Sequence, residues 1–308
     1  MKKFTIDIIL PTYRPEEKFN KLIQMLRKQT YPVRRILIMD TRVPGSAGKK
    51  YNLIPEAQVY HLSPEEFDHG GTRHRAAMIS DAELMLFMTQ DAVPADEFLI
   101  EKLSAAFHDP EVDAAYARQL PNQECNIIER YTRKFNYPEK SCVKSKKDLH
   151  IYGIKTFFCS NVCAMYRKST YEKIGGFEKH TIFNEDMIFA GSIIQQGGSI
   201  AYVAEAKVIH SHNYGMVKQL KRNFDLAVSQ AEHPEIFSVV KSEREGIRLV
   251  KQTAKYLVRI RRPWLIPELL AGSGVKFLGY YLGKHHKRLP KWMIMKLTMN
   301  QAYWKLWR

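Results

Sequence analysis

Residues 84–88 read Leu-Met-Leu-Phe-Met, and the run stops at Thr89-Gln90-Asp91-Ala92 with Pro94 close behind. Five apolar residues bounded by turn formers suit a buried strand and are too few for a helix. Comparable runs lie at 6–10, 35–39 and 58–62. Between the first two, Phe19, Leu22, Ile23 and Leu26 repeat at helical spacing within 16–28. This strand–helix–strand rhythm predicts an α/β fold: a mixed, mainly parallel sheet flanked by helices and joined by right-handed crossovers. Ligands of such sheets sit just beyond the carboxyl ends of the strands. Asp91 falls there, where a carboxylate on a rigid strand binds a divalent cation and, through it, a diphosphate. The plainer reading of Asp91 is a turn residue that caps the following helix.

The first run is expected to break at Pro11-Thr12-Tyr13-Arg14-Pro15, the second to end at Asp40, and 41–50 to be a polar loop. Phe67-Asp68-His69-Gly70-Gly71-Thr72-Arg73-His74-Arg75 opens a helix. Its two glycines would let the backbone approach an anion, with Arg73 and Arg75 adding charge, or would simply start the helix. A helix is expected at 96–107 and a strand at 112–117. Residues 119–154 read as polar and irregular. Residues 157–166 are dense and β-prone, and Cys159 and Cys163 inside them are expected to pack in the core. Residues 167–174 form a short helix ended by Gly175-Gly176. Asn184 then suits a helix N-cap, with Glu185 and Asp186 in the first turn. A carboxylate at a helix start on a cleft can also serve as general base. After a strand at 199–203, His210 and His212 are spaced to put both rings on one strand face, as metal ligands or as structural residues.

Charge is placed unevenly. Of 48 Lys and Arg, 16 fall in residues 241–308, against 3 of the 32 Asp and Glu. That asymmetry points to a polyanionic partner for the tail. The four cysteines form no CxxC pair, which argues against zinc. The apolar run after Met1-Lys2-Lys3 is interrupted by Asp7 and too short for a signal peptide, and no stretch of about 18 apolar residues occurs. The expected place is cytoplasmic, with reduced thiols. All four tryptophans lie in the tail. There Ile247, Val250, Ala254, Leu257 and Val258 repeat at helical spacing among Lys251, Lys255, Arg259 and Arg261. Pro267, Glu268 and Lys276 argue against a span at 264–283. Trp292, Met295, Met299, Tyr303 and Leu306 share one face of a helix at 291–308. A basic helix with Trp and Met on its apolar side suits a membrane interface, or packs back onto the rest of the chain. A nucleic-acid partner is disfavoured, because no RNA-reading motif accompanies the charge.

Taken together, Pro11-Thr12-Tyr13, the FDHGGTRHRAA segment, Thr89-Gln90-Asp91-Ala92, Glu185-Asp186 and the His-Ser-His-Asn-Tyr ending resemble the inverting family 2 glycosyltransferases of GT-A fold, most of all bacterial rhamnosyltransferases. The resemblance implies a catalytic domain over 1–214, and the basic, helically spaced residues of 215–308 are read as an amphipathic appendage. It implies that Pro11, Thr12, Tyr13, Asp40, Arg73, Gln90 and Asp91 bind the nucleotide sugar. Asp91, with His210 or His212, would hold Mg²⁺ or Mn²⁺. Asp186 of the Glu185-Asp186 pair would be the catalytic base. The implied reaction moves L-rhamnose from deoxythymidine-diphosphate rhamnose to a saccharide hydroxyl. The basic tail is expected to hold the chain on the anionic inner leaflet of the cell membrane, beside an acceptor saccharide carried on undecaprenyl diphosphate. Three departures stand out: Thr89 and Gln90 replace the first acid and spacer of the DxD motif, Thr41 a second acid, and His74 an asparagine. A donor such as UDP-glucose or UDP-galactose, or an inactive basic membrane- or nucleic-acid-binding module, are the competing readings.

Overall fold

A computed structural model describes residues 3–42, 57–239 and 243–306. Most of the expected loop at 41–50, and Trp307, lie outside the described residues. The chain divides into two compact units, one of Met1–Leu120, Tyr137–His180 and Glu185–His210, the other of Pro121–Asn136, Thr181–Asn184 and Ser211–Arg308.

The strands of the first unit are β1 (Ile6–Tyr13), β2 (Arg35–Thr41), β3 (Ala57–Leu62), β4 (Leu84–Met88), β5 (Val93–Pro94), β6 (Val112–Leu120), β7 (Cys142–Lys144), β8 (Cys163–Arg167) and β9 (Ser199–Ile209). Among the described residues these nine form one sheet in the order β3-β2-β1-β4-β8-β6-β9-β5, with β7 also on β9. The ladders from β3 to β4 and between β6 and β9 are parallel, while β8 runs antiparallel between β4 and β6. Ile6, Ile8, Leu10, Leu84, Leu86 and Met88 pack under Phe19 and Leu22 of the helix Glu17–Arg27 and Leu99 and Leu103 of the helix Leu99–Ala105. Near Phe87 of β4, the rings of Tyr166, Tyr171 and Phe177 surround Phe189, with centroids 5.1–5.6 Å from it. This aromatic cluster anchors the helix Glu185–Gln195 and so fixes its first turn.

Several local expectations shift. β1 does not break at Pro11: Pro11, Thr12 and Tyr13 continue the register opposite Met39, Asp40 and Thr41. Proline removes a donor but tolerates extended backbone. The stretch at 119–154 is less irregular than expected, since it holds the helix Ile127–Asn136 and β7. The stretch at 157–166 is strand only from Cys163; Gly153–Phe157 is a 3-10 turn. The reason is Lys144, whose buried Nζ donates to the carbonyls of Lys155 (2.8 Å) and Phe158 (2.6 Å) and to the Tyr116 hydroxyl (3.2 Å). Cys159 and Cys163 are buried, unbridged thiols, and burial pushes Cys159 up to about 12. β9 extends to Ile209 and stops, so His210 and His212 follow the strand rather than share its face.

In the second unit, the helix Ile266–Lys284 lies close on the helix Met216–Glu232. A Cβ on Gly279 or Gly283 would come within 2.3 Å of the Leu220 or Phe224 carbonyl oxygen, so glycine sets this approach. The single helix expected at 291–308 is two, Lys291–Leu297 and Gln301–Leu306. Thr298 is extended between them, because buried Asp225 accepts its hydroxyl (2.7 Å) and the Met299 N–H (2.8 Å). Ile294, Tyr303 and Trp304 turn inward with Phe224 and Val228, while Trp292 and Trp264 stay exposed. Among the described residues no helix is long and apolar enough to cross a membrane.

Candidate active site

The carboxyl edge of the sheet gathers polar side chains from strands distant in sequence. Thr12, Asp40 and His61 are aligned across β1, β2 and β3. Asp40 Oδ1 accepts the Thr12 hydroxyl at 3.2 Å, and Asp40 Oδ2 lies 3.2 Å from His61 Nδ1. Tyr13, exposed at the end of β1, is held through its backbone: its N–H donates to Gln90 Oε1, and its carbonyl accepts from Gln90 Nε2, both at 2.9 Å. The Gln90 amide therefore ties β1 to the turn that carries Asp91. The Thr89 hydroxyl is buried and makes no hydrogen bond among the described residues. The Thr41 hydroxyl is in the same state.

Asp91 faces His210, with its Oδ2 3.5 Å from His210 Nε2. The other ring nitrogen, Nδ1, lies 3.1 Å from Gln119 Oε1, which can only accept. Nδ1 thus carries a proton, and Nε2 is turned toward a carboxylate oxygen. A metal ion on the neutral ring, or a second ring proton, would each satisfy Nε2 and the carboxylate together. The Gln119 amide in turn donates to Ser160 Oγ at 3.1 Å. The pair Asp91–His210 thereby has the donor set and outer support of a metal site. His212 belongs to the second unit, where its ring stacks on Tyr214 at 4.8 Å.

Asn161, next to Ser160, leads to the second acidic group. Because β8 is antiparallel to β4, Cys163 at its start sits beside Met88 at the end of β4, and Ser160-Asn161 reach the same edge as Asp91. The Asn161 N–H donates to Asp186 Oδ2 (3.0 Å), and its Nδ2 donates to Glu185 Oε1 (3.3 Å). Glu185 is buried and paired with Arg73 Nη1 at 3.2 Å; Arg73 is itself buried and also donates to the His69 carbonyl (2.8 Å). Burial alone would raise the Glu185 carboxyl, but Arg73, then His69 and Asn161, hold it below its ordinary value. Asp186 keeps part of its surface open. Burial, then the neighbouring Glu185 charge, push its carboxyl well above the ordinary carboxylate range. One acid is thus a fixed counter-ion and the other a base of near-neutral strength.

Gly70 and Gly71 do not face a ligand. Their N–H groups donate to Asp68 Oδ1 at 2.9 and 2.8 Å, which caps the helix His69–Ile79. A Cβ at Gly70 would stand 1.8 Å from the Glu178 carbonyl oxygen, and one at Gly71 2.8 Å from that of Lys179. The glycines bring this helix close enough for Arg73 to reach Glu185. Sequence reasoning missed His61, Gln119, Ser160 and Asn161. For the last two a signal existed: a polar pair interrupting the apolar stretch 157–166. For His61 and Gln119 only strand pairing reveals the role.

The profile of glycosyl transferase family 2 matches residues 7–175. The chain is 38% identical over 307 residues to the O-antigen chain rhamnosyltransferase RfbN of Salmonella typhimurium, covering 97% of this chain and 96% of the relative. It is also 38% identical over 309 residues to the O-antigen chain rhamnosyltransferase WbaN of Salmonella anatum, covering 99% and 96%. Among solved structures, TarS 1-349 of S. aureus in complex with UDP-GlcNAc matches with TM-score 0.55 at 16% identity, over 92% of this chain and 91% of that one. The mannosyltransferase PcManGT of Pyrobaculum calidifontis, in complex with GDP-Man and Mn²⁺, also matches with TM-score 0.55, at 15% identity over 98% and 85%. These two share the fold. With a family profile over more than half of its length and relatives aligned nearly end to end, the chain belongs to glycosyl transferase family 2 and is a glycosyltransferase.

Proposed function

We propose that the chain transfers L-rhamnose from deoxythymidine-diphosphate rhamnose to a saccharide hydroxyl, with inversion, in the assembly of a cell-surface polysaccharide. The donor sugar follows from the full-length likeness to two O-antigen chain rhamnosyltransferases. The observation that carries the chemistry is Asp186: a part-exposed carboxyl of raised basicity, oriented by the Asn161 N–H beside an Arg73-paired Glu185. Asp186 takes the proton of the acceptor hydroxyl as that oxygen bonds to the anomeric carbon. The bond from that carbon to the diphosphate oxygen breaks on the opposite face, and the nucleoside diphosphate leaves. Asp40, set by Thr12 and His61, receives the base, with Tyr13 and Pro11 at the rim. Asp91 and His210 would hold Mg²⁺ or Mn²⁺, which supplies neutralisation of the leaving diphosphate. His212, two residues along the chain and so within about 7 Å of His210 at the backbone, is a further ligand in this reading. The acceptor in this reading is linked to undecaprenyl diphosphate, and the basic region 215–308 keeps the enzyme at the anionic inner leaflet.

The test is release of nucleoside diphosphate by the purified chain from deoxythymidine-diphosphate rhamnose, UDP-glucose and UDP-galactose, with a lipid-diphosphate saccharide acceptor and with Mn²⁺, Mg²⁺ or chelator. Turnover of the rhamnose donor alone, lost in Asp91→Ala and under chelation, is the expected result. Turnover of a uridine donor alone overturns the donor assignment. Undiminished turnover under chelation overturns the metal site.

A further inference from the structure

The helix Ile266–Lys284 has two unlike sides. Gly279 and Gly283 press one side against the carbonyls of Leu220 and Phe224, and Leu269 is buried on that side. The opposite side carries Pro267, Leu270, Gly274, Phe277, Leu278 and Tyr281, all exposed, with the Tyr281 ring 4.5 Å from that of His285. At 100° per residue these six fall within one arc of about 100°. The stripe holds no charged residue and runs about 21 Å along the helix. Phe277 is 62% exposed, and Trp264, just before the helix, is 66% exposed.

Charge brackets this stripe. Arg259, Arg261 and Arg262 precede it and Lys287, Arg288 and Lys291 follow it, all exposed. The Arg262 guanidinium lies 6.0 Å from the Trp264 ring, a Trp–cation pair suited to a headgroup layer. An uncharged aromatic stripe with basic residues at both ends is the pattern of a helix lying in a bilayer interface. It is not the pattern of a phosphate-backbone reader, which needs charge along the contact itself. A second copy of the chain would set these basic ends against their own kind, whereas anionic headgroups neutralise them.

We propose that the outward face of the helix Ile266–Lys284, with Trp264 at its start, is the surface by which this protein rests on an anionic lipid bilayer. This assigns the docking face away from the 291–308 segment, whose Tyr303 and Trp304 are part of the core of the second unit. It rests on the proposed membrane placement of the transferase. Vesicle binding is read without donor or acceptor, so it fails or succeeds independently of the reaction.

The full chain is co-sedimented with vesicles of phosphatidylcholine containing 30% phosphatidylglycerol and with pure phosphatidylcholine vesicles. The expected result is binding to the anionic vesicles that falls at least about tenfold in F277S/L278S/Y281S, with circular dichroism and Tm unchanged because the replaced side chains are exposed. Charge reversal at Arg261 and Arg262 is expected to weaken the anionic binding about tenfold while leaving any binding to pure phosphatidylcholine unchanged. Absence of binding to anionic vesicles overturns the proposal. So does a triple variant that sediments as well as the parent, or a loss produced by W292S and not by the triple variant. A concentration-dependent dimer abolished by the triple variant, with no vesicle binding, assigns the face to self-association and overturns the proposal as well.

Discussion

Burial disfavours the charge on both Asp7, near the start of β1, and Asp186, at the start of the helix Glu185–Gln195, yet the two carboxyls of the first unit are shifted in opposite directions. Asp7 has no exposed surface. It accepts from Arg34 (2.7 Å), Arg35 (3.0 Å) and the Ser80 hydroxyl (2.7 Å), and Asp81 completes the cluster by pairing with both arginines. Burial would raise its carboxyl, but Arg34, Ser80 and Arg35 outweigh burial and hold it low. Asp186 accepts the backbone N–H groups of Asn161 and Met187, and after burial the Glu185 charge raises its carboxyl more than Arg73 lowers it. The amino edge of the sheet is a saturated ion cluster that stabilises. The carboxyl edge instead sets Asp91 opposite the Nε2 of His210 and leaves Asp186 beside the Arg73-paired Glu185, an arrangement that a cation, a proton or a substrate would complete.

The contrast is broken most severely by Asp186→Asn. We expect kcat to fall about 10³-fold with nucleotide Kd unchanged, read by steady-state kinetics and calorimetry. The same variant should melt a few degrees higher, because a carboxyl with a raised folded-state pKa costs increasing stability as pH climbs from the ordinary value through the raised one. Asp7→Asn is the mirror case. A carboxyl with a lowered pKa stabilises above its ordinary value and loses that contribution only as pH falls through the lowered one. Removing it leaves Asp81 as the remaining carboxylate of Arg34 and Arg35, and urea unfolding at neutral pH should show a loss of about 3 kcal/mol with kcat of the folded enzyme intact. Equal signs for the two stability changes would refute the comparison.

Smaller effects sharpen it. Glu185→Gln removes the charge that, after burial, raises Asp186. The acid limb of the kcat–pH profile should move to lower pH by about one unit, and an unmoved limb would mean that Glu185 does not set the base. His61→Ala removes one neighbour of the Asp40 carboxylate. Nucleotide Kd, measured by calorimetry, should rise about fivefold with kcat at saturation unchanged. A fall in kcat instead would place His61 in the chemistry.

Local pattern was enough for much of this molecule. The five apolar residues of β4, the Phe19–Leu22–Ile23–Leu26 stripe and the acids that close strands or open helices are set by neighbours in sequence. Strand and helix periodicities and turn residues therefore announced them. Asp40, Asp91 and Asp186 were legible for that reason. Their partners were not. His61 meets Asp40 only through the β2–β3 register, and Gln119 meets His210 only through the β6–β9 ladder. Asn161 reaches Asp186 because β8 enters the sheet antiparallel, and Arg73 reaches Glu185 because glycine lets two backbones nearly touch.

The tail divides the same way. Its charge and its tryptophans are facts of composition. Which tryptophan is buried depended on Asp225 capturing Thr298 and Met299 and splitting one expected helix into two. Helical spacing reports which residues share a face. It does not report what that face meets, because burial is settled by contacts between segments far apart in the chain. The sequence alone determined most of the elements and the candidate acids that close strands or open helices. Tertiary packing decided their protonation, their partners and the exposed face of the helix Ile266–Lys284, since each depends on the local dielectric and on charges that sequence distance does not encode.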